Sequence, residues 1–254
     1  MFFNLLQMGG YNAYSDGVAN GYSQFTSSSA FLLMIAIAIV GFFVQYKLKA
    51  VFEKYSKVSS PNGMSGREAA EQMLRDNNIT NVRVVSVAGQ LTDHFDPRNM
   101  TVNLSESVYG SRSISAIAVA CHECGHAVQH AEAYGPLVMR SQLVPVVSFS
   151  SRMATWVIIA GMLLISSGIG EAICWVGIGM IAMSAIFSLV TLPVEYNASS
   201  RALAWLERSG VARGVELQQA KEALSWAART YLVAAISAVA TLLYYVMIIM
   251  SRRD

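Results

Sequence analysis

The sequence predicts a mostly α-helical, multi-pass membrane protein with about four transmembrane helices and a small α+β domain on one side of the bilayer. Three observations predict it. Of 254 residues, 54% are apolar and 13% charged, whereas soluble domains carry about 25% charged residues. Four stretches, 30–46, 153–167, 172–192 and 231–250, are apolar runs of the kind that crosses a hydrocarbon core, the second being the shortest and carrying Ser166 and Ser167. Between the first and second runs, and again between the third and fourth, lie polar segments with helix and strand signals.

Positive charge orients these segments. Eleven Lys and Arg fall between Lys47 and Arg152, five more between Pro193 and Arg229, and the last two are Arg252 and Arg253. With four crossings the two larger groups share a side, which the positive-inside tendency makes cytoplasmic. The expected order is an N-terminal extracytoplasmic segment 1–29, a first span 30–46, a cytoplasmic domain 47–152, a transmembrane hairpin 153–192, a cytoplasmic helical segment 193–229, and a last helix with the C-terminus, 230–254, in the cell (inner) membrane. Only Arg252 and Arg253 conflict with this topology. The first 29 residues hold no Lys or Arg, so the basic region that opens a secretory leader is not expected there.

Within the cytoplasmic domain, Ser65 to Glu68 forms a capping box before Ala69-Ala70-Glu71-Gln72-Met73-Leu74, and Asp76-Asn77-Asn78 ends that helix. Two strand-like runs follow, 82–87 and 100–104, expected to pair as a hairpin. A helix is expected over 113–133, with Ser113 as N-cap and Gly135-Pro136 as its stop.

That helix carries Cys121-His122-Glu123-Cys124-Gly125-His126. Histidines four apart lie on one helical face, about 5–6 Å apart at Cβ, so both rings reach one metal. Zinc takes imidazole nitrogen in tetrahedral geometry, and a catalytic site supplies three protein ligands and leaves the fourth position to water. Glu123 then stands beside that water as general acid/base. His130 lies on the same face but about 12 Å along the axis from His122, too far to share the metal. Among carboxylates, Glu171 falls in the outer turn and Glu132 points off the ligand face. Glu195, just after the third apolar run, falls on the same side as His122 and completes a His, His, Glu set; the alternative is a solvated carboxylate favoured by a helix N-terminus. In the loop 88–99, His94 or Asp93 enters the site as oxyanion donor or as a partner behind it; the alternative is turn chemistry, which Asp96-Pro97 suits. A second strand lying along the zinc helix would offer its edge to an extended peptide.

Other classes are disfavoured. Basic residues are mixed with acidic ones and form no aromatic-interleaved stripe, so nucleic acid is not an expected partner. The named runs lack internal ionisable groups, which argues against a transporter. Cys121 and Cys124 are read as small buried hydrophobes rather than a redox switch, because no second Cys pair completes a structural zinc cage.

The motifs Leu91-Thr92-Asp93-His94-Phe95-Asp96-Pro97-Arg98, Leu104-Ser105, Ala120 through His130, and Leu192-Pro193-Val194-Glu195-Tyr196-Asn197-Ala198-Ser199 resemble, in this order, the YugP-like family of membrane zinc metallopeptidases. More distantly the chain is similar to the gluzincin membrane proteases of the HtpX and CAAX prenyl protease kind. There a downstream Glu is the third zinc ligand and an Asp four residues later supports the site, a place taken here by Ser199. The resemblance implies a gluzincin-like metalloprotease domain, zinc held by His122, His126 and Glu195, and hydrolysis of membrane or membrane-adjacent proteins at the cytoplasmic face. Protein or peptide substrate and the lipid bilayer are the expected partners, and the oligomeric state is left open. The rival is a membrane scaffold whose metal is structural, closed by a fourth ligand such as Cys124 or His94.

Overall fold

The computed structural model describes residues 6–250, with side chains from Phe31 onward. The expected N-terminal segment 1–29 therefore lies outside the fully described residues, and Arg252 and Arg253 lie outside them as well. Seven helices and three strands follow in the order α1 (Leu6–Ser56), α2 (Gly66–Asp76), β1 (Arg83–Val87), β2 (His94–Asp96), β3 (Thr101–Ser105), α3 (Glu106–Tyr109), α4 (Ile114–Ala131), α5 (Gly135–Leu163), α6 (Ile169–Arg208) and α7 (Gly214–Met250). Among the described residues, four helices are long and apolar enough to cross a membrane: Phe31–Ser56 within α1, and α5, α6 and α7. Phe42, Trp156 and Leu163 expose 76%, 69% and 78% of their surface. Large apolar side chains bared along such helices need an apolar solvent.

The chain divides into two compact units, one of Gly41–Val146 with Ile186–Ala235, the other of the remaining segments. The first holds the main core. Met73 and Leu74 of α2, Val102 and Leu104 of β3, Ile114 and Ile117 of α4, and Trp205 and Leu206 of α6 are each at most 3% exposed there. α2 starts as expected: the Ser65 hydroxyl accepts from the Glu68 N–H and the Glu68 carboxylate accepts from the Ser65 N–H at 2.7 Å. In the second unit, Gly161 lies against Gly170 and Cys174, where a Cβ would come within 2.6 Å of the Cys174 sulfur.

The expected hairpin is not formed. β1 pairs with β3 in parallel, Val85 opposite Asn103, and β2 pairs with β3 antiparallel, Phe95 opposite Val102, giving the order β1-β3-β2. The cause is β2 itself, three residues long and inside the segment read as loop. Asp96 makes its return tight: the Arg98 N–H and the Asn99 amide donate to the two Asp96 oxygens at 2.8 and 2.6 Å. The local hairpin partner of β3 is thus β2, and β1 takes the other edge. β3 is central and buried along its whole length, so the two edges of the sheet belong to β1 and β2.

Three helices also run further than the apolar runs suggest. α1 continues past Tyr46 to Ser56, α5 begins at Gly135 rather than 153, and α6 passes through Pro193 without ending. Pro145 sits inside α5 as Pro193 does inside α6. A helix tolerates the missing N–H where packing holds both halves, so these prolines did not mark ends.

Candidate metal centre

α4 carries the centre because its sequence permits close backbone approach. Ser113 caps its start, accepting from the Ala116 N–H. Ala120, Cys121, Cys124 and Ala127 on its buried side are small and at most 1% exposed. At Gly125 a Cβ would lie 2.6 Å from the Ala198 carbonyl oxygen, so α4 and α6 meet backbone to backbone there. That contact brings Glu195, one turn before Ser199 on α6, over the two histidines.

Glu195 Oε2 lies 3.3 Å from His122 Nε2 and 3.5 Å from His126 Nε2. A tetrahedral zinc with bonds of about 2.0–2.1 Å spaces its ligand atoms by roughly 3.3–3.5 Å, the tetrahedral edge for those bonds. Oε2 is buried without a hydrogen-bond partner. A buried carboxylate oxygen left so is costly. A cation held by the three atoms, which lie within 4.8 Å of one another, would resolve it. The donor set fits zinc.

The opposite ring nitrogens fix the tautomers. His126 Nδ1 lies 3.0 Å from Gln129 Oε1, while the Gln129 amide nitrogen donates to Val194 O at 2.8 Å and Asn197 Oδ1 at 2.9 Å. With its NH2 committed to two acceptors, Gln129 can only accept from His126, so the ring proton sits on Nδ1 and the Nε2 lone pair faces Glu195. Ser199 Oγ lies 3.1 Å from His122 Nδ1 and can serve that ring likewise. The small residue at that position therefore does reach the site, through a histidine rather than as a charge. Burial disfavours the charged form of His126, but the Glu195 and Glu123 carboxylates outweigh it and raise the proton affinity of the ring, so protons and metal compete for it.

Glu123 is 8% exposed, and its Oε2 accepts from the Phe95 N–H of β2 at 3.1 Å. The edge strand and the carboxylate thus face each other. Together with His126, Glu195, Asp93, His94, Leu137, Arg140, Val144 and Tyr231 they line a cavity of about 250 Å³. Asp93 and His94 reach that cavity wall, but both are engaged. The Asp93 carboxylate accepts from the Ser105 N–H at 2.7 Å, and His94 lies 2.7 Å from Thr92 O through Nδ1 and 3.2 Å from the Asn103 amide through Nε2. His130 lies tilted against Phe95 with ring centroids 5.7 Å apart and stays outside the ligand group. Cys121 and Cys124 are buried free thiols, their ionisation suppressed by burial, and Cys124 Sγ turns to Ala70 O at 3.5 Å.

Residues 30–250 match the family model described as "Putative neutral zinc metallopeptidase". The chain belongs to this zinc metallopeptidase family. It is also 46% identical over 224 residues to "Putative membrane protease YugP" of Bacillus subtilis (strain 168), across 87% of this chain and 97% of that protein. No solved structure matches it.

For this member of the zinc metallopeptidases, motif reading did not single out Gln129, Arg140 or the cavity position of Tyr231. Gln129 carried a signal, since a polar residue three beyond His126 shares its helical face. Arg140 and Tyr231 sit at no fixed spacing from the histidines. Gln129→Leu removes the acceptor that fixes His126, and zinc affinity is expected to fall about 10–100-fold, as for other lost partners of metal-bound histidines, measured by competition with a chromophoric chelator.

Proposed function

We propose that the protein is a zinc-dependent endopeptidase that hydrolyses peptide bonds of membrane or membrane-adjacent proteins at the cytoplasmic face of the cell membrane. The observation that carries the reading is the convergence of His122 Nε2, His126 Nε2 and the partnerless Glu195 Oε2, with Glu123 in the same cavity. In this reading 47–152 supplies the metal helix, the hairpin 153–192 lies in the bilayer, and 193–229 supplies the third ligand from the cytoplasmic side.

Zinc held there supplies a Lewis acid and, by lowering the pKa of water, a nucleophile at neutral pH. The chain does the rest. Glu123 accepts the proton of the attacking water and delivers it to the leaving amine. The outer side of β2 faces Glu123, so a substrate extended along that edge, paired by its main chain, lays its scissile bond over the carboxylate. His94 and Asp93 act from behind that edge: their bonds to Asn103 and Ser105 hold β2 and its approach loop in place. Phe95, Leu137 and Val144 give the cavity an apolar wall, suited to apolar substrate side chains.

The scaffold reading needs a fourth protein ligand. Cys124 points to Ala70 O and His94 is bonded through both nitrogens, which favours an open position and hence the enzyme. The test is the metal content of purified wild type and of Glu195→Ala, with cleavage of an unfolded protein followed in the same samples. One zinc per chain and cleavage in wild type, both lost in Glu195→Ala, is expected. Zinc held by both proteins would reject Glu195 as ligand, and zinc without cleavage in wild type would favour the scaffold.

A further inference from the structure

Glu195 has two oxygens, and only one faces the histidines. The other, Oε1, lies 3.4 Å from Nη1 of Arg140, in the second turn of α5. The carboxylate is 2% exposed and the arginine side chain 30%. Arg140 therefore reaches inward from the cavity wall, which Leu137 and Val144 also line, to a group that is 2% exposed. Among the described residues it is the cation that the structure pairs with Glu195.

We propose that Arg140 is a positioning residue for the third metal ligand: it engages Oε1, keeps the carboxylate a one-oxygen ligand through Oε2, and so keeps a coordination position open. The inference rests on the zinc site proposed above. Three considerations lead to it. A buried carboxylate oxygen without a donor pays a desolvation penalty of about 1–3 kcal/mol or more, and the Arg140 cation at 3.4 Å offsets it, with the Tyr231 hydroxyl also turned to Glu195. A carboxylate whose second oxygen is unengaged is free to swing both oxygens onto the ion, as bidentate carboxylates do, filling the place water needs. Finally, a partly buried arginine is an unfavourable choice unless it is paired, and Arg140, 30% exposed, has the metal ligand as its partner. Arginine suits this place because it stays charged and presents several N–H donors in a fixed plane, so one can hold Oε1 while others face the cavity.

The experiment uses full-length wild type, Arg140→Gln, Arg140→Lys and His126→Ala in detergent. Zinc affinity is measured by chelator competition, the visible spectrum is recorded after cobalt loading, and thermal unfolding is followed without metal. Arg140→Gln is expected to bind zinc about 10–100-fold more weakly, to show a weaker cobalt absorption as the ligand number rises, and to unfold without metal within a few degrees of wild type. Arg140→Lys is expected to recover most of the affinity. Wild-type affinity and an unchanged cobalt spectrum in Arg140→Gln would overturn the proposal. So would a weaker affinity with an unchanged spectrum and a lowered metal-free melting temperature, which is what lost packing alone produces. Failure of the metal site itself reads differently: wild type then takes up no metal, or His126→Ala retains it.

Discussion

Glu123→Gln leaves one zinc per chain in place and cuts peptide cleavage by about 10²–10⁴-fold, the usual worth of a positioned general acid/base. The two halves of this result come from the geometry. Glu123 is not in the group that converges on the ion, so the amide costs no ligand. Its carboxylate accepts the Phe95 N–H at 3.1 Å, and the Gln oxygen can accept the same bond, so β2 stays seated. Only the ability to take a proton goes. Metal analysis beside a cleavage assay decides it: cleavage at the wild-type rate would remove Glu123 from the chemistry, and loss of zinc would make it a ligand.

The second large effect is expected at Gly125→Ala. A Cβ there would stand 2.6 Å from the Ala198 oxygen and 3.1 Å from its Cα. A backbone atom cannot turn aside as a side chain can, so α4 and α6 must separate by several tenths of an ångström. Overpacking of this kind costs about 1–3 kcal/mol. The strain falls beside the ligands on both helices, since Gly125 precedes His126 and Ala198 follows Glu195 by less than one turn. Zinc affinity is expected to drop at least about tenfold, with a lower melting temperature. Gly110→Ala is the control, because nothing lies within 4 Å of a Cβ at Gly110 and its backbone is right-handed helical at φ −93°; its stability should stay within about 0.5 kcal/mol of wild type. If Gly125→Ala matches that control in both readouts, the helix contact does not set the site.

What the sequence revealed divides by distance along the chain. His122, Glu123 and His126 lie on one helix, where periodicity alone decides which residues share a face. Glu195 was reachable because membrane topology halves the candidates. β2 was not, because three residues carry too little pattern to separate from a loop, and the hairpin of 82–87 with 100–104 failed for that reason. Pro193 hid the length of α6, because a proline suits a helix start or kink and here lies inside the helix. Ser199 looked like a missing support because its side chain is short, and only the backbone contact at Gly125 shows that α6 comes near enough for its hydroxyl to reach His122. Arg140 lay in a stretch whose apolar neighbours, Leu137, Val138, Met139 and Val144, gave no reason to look for a charge partner.

The order of the ligands in the chain also bears on how the protein is made. His122 and His126 leave the ribosome long before Glu195, 69 residues later by numbering, and at about 5–20 residues per second that gap lasts roughly 3–14 s. Through that interval the nascent chain has the two imidazoles without Glu195. In the proposed reading, hydrolytic competence would arrive only when α6 has emerged and docked its backbone on α4, so late delivery of one carboxylate would keep the unfinished chain from cutting itself or its neighbours.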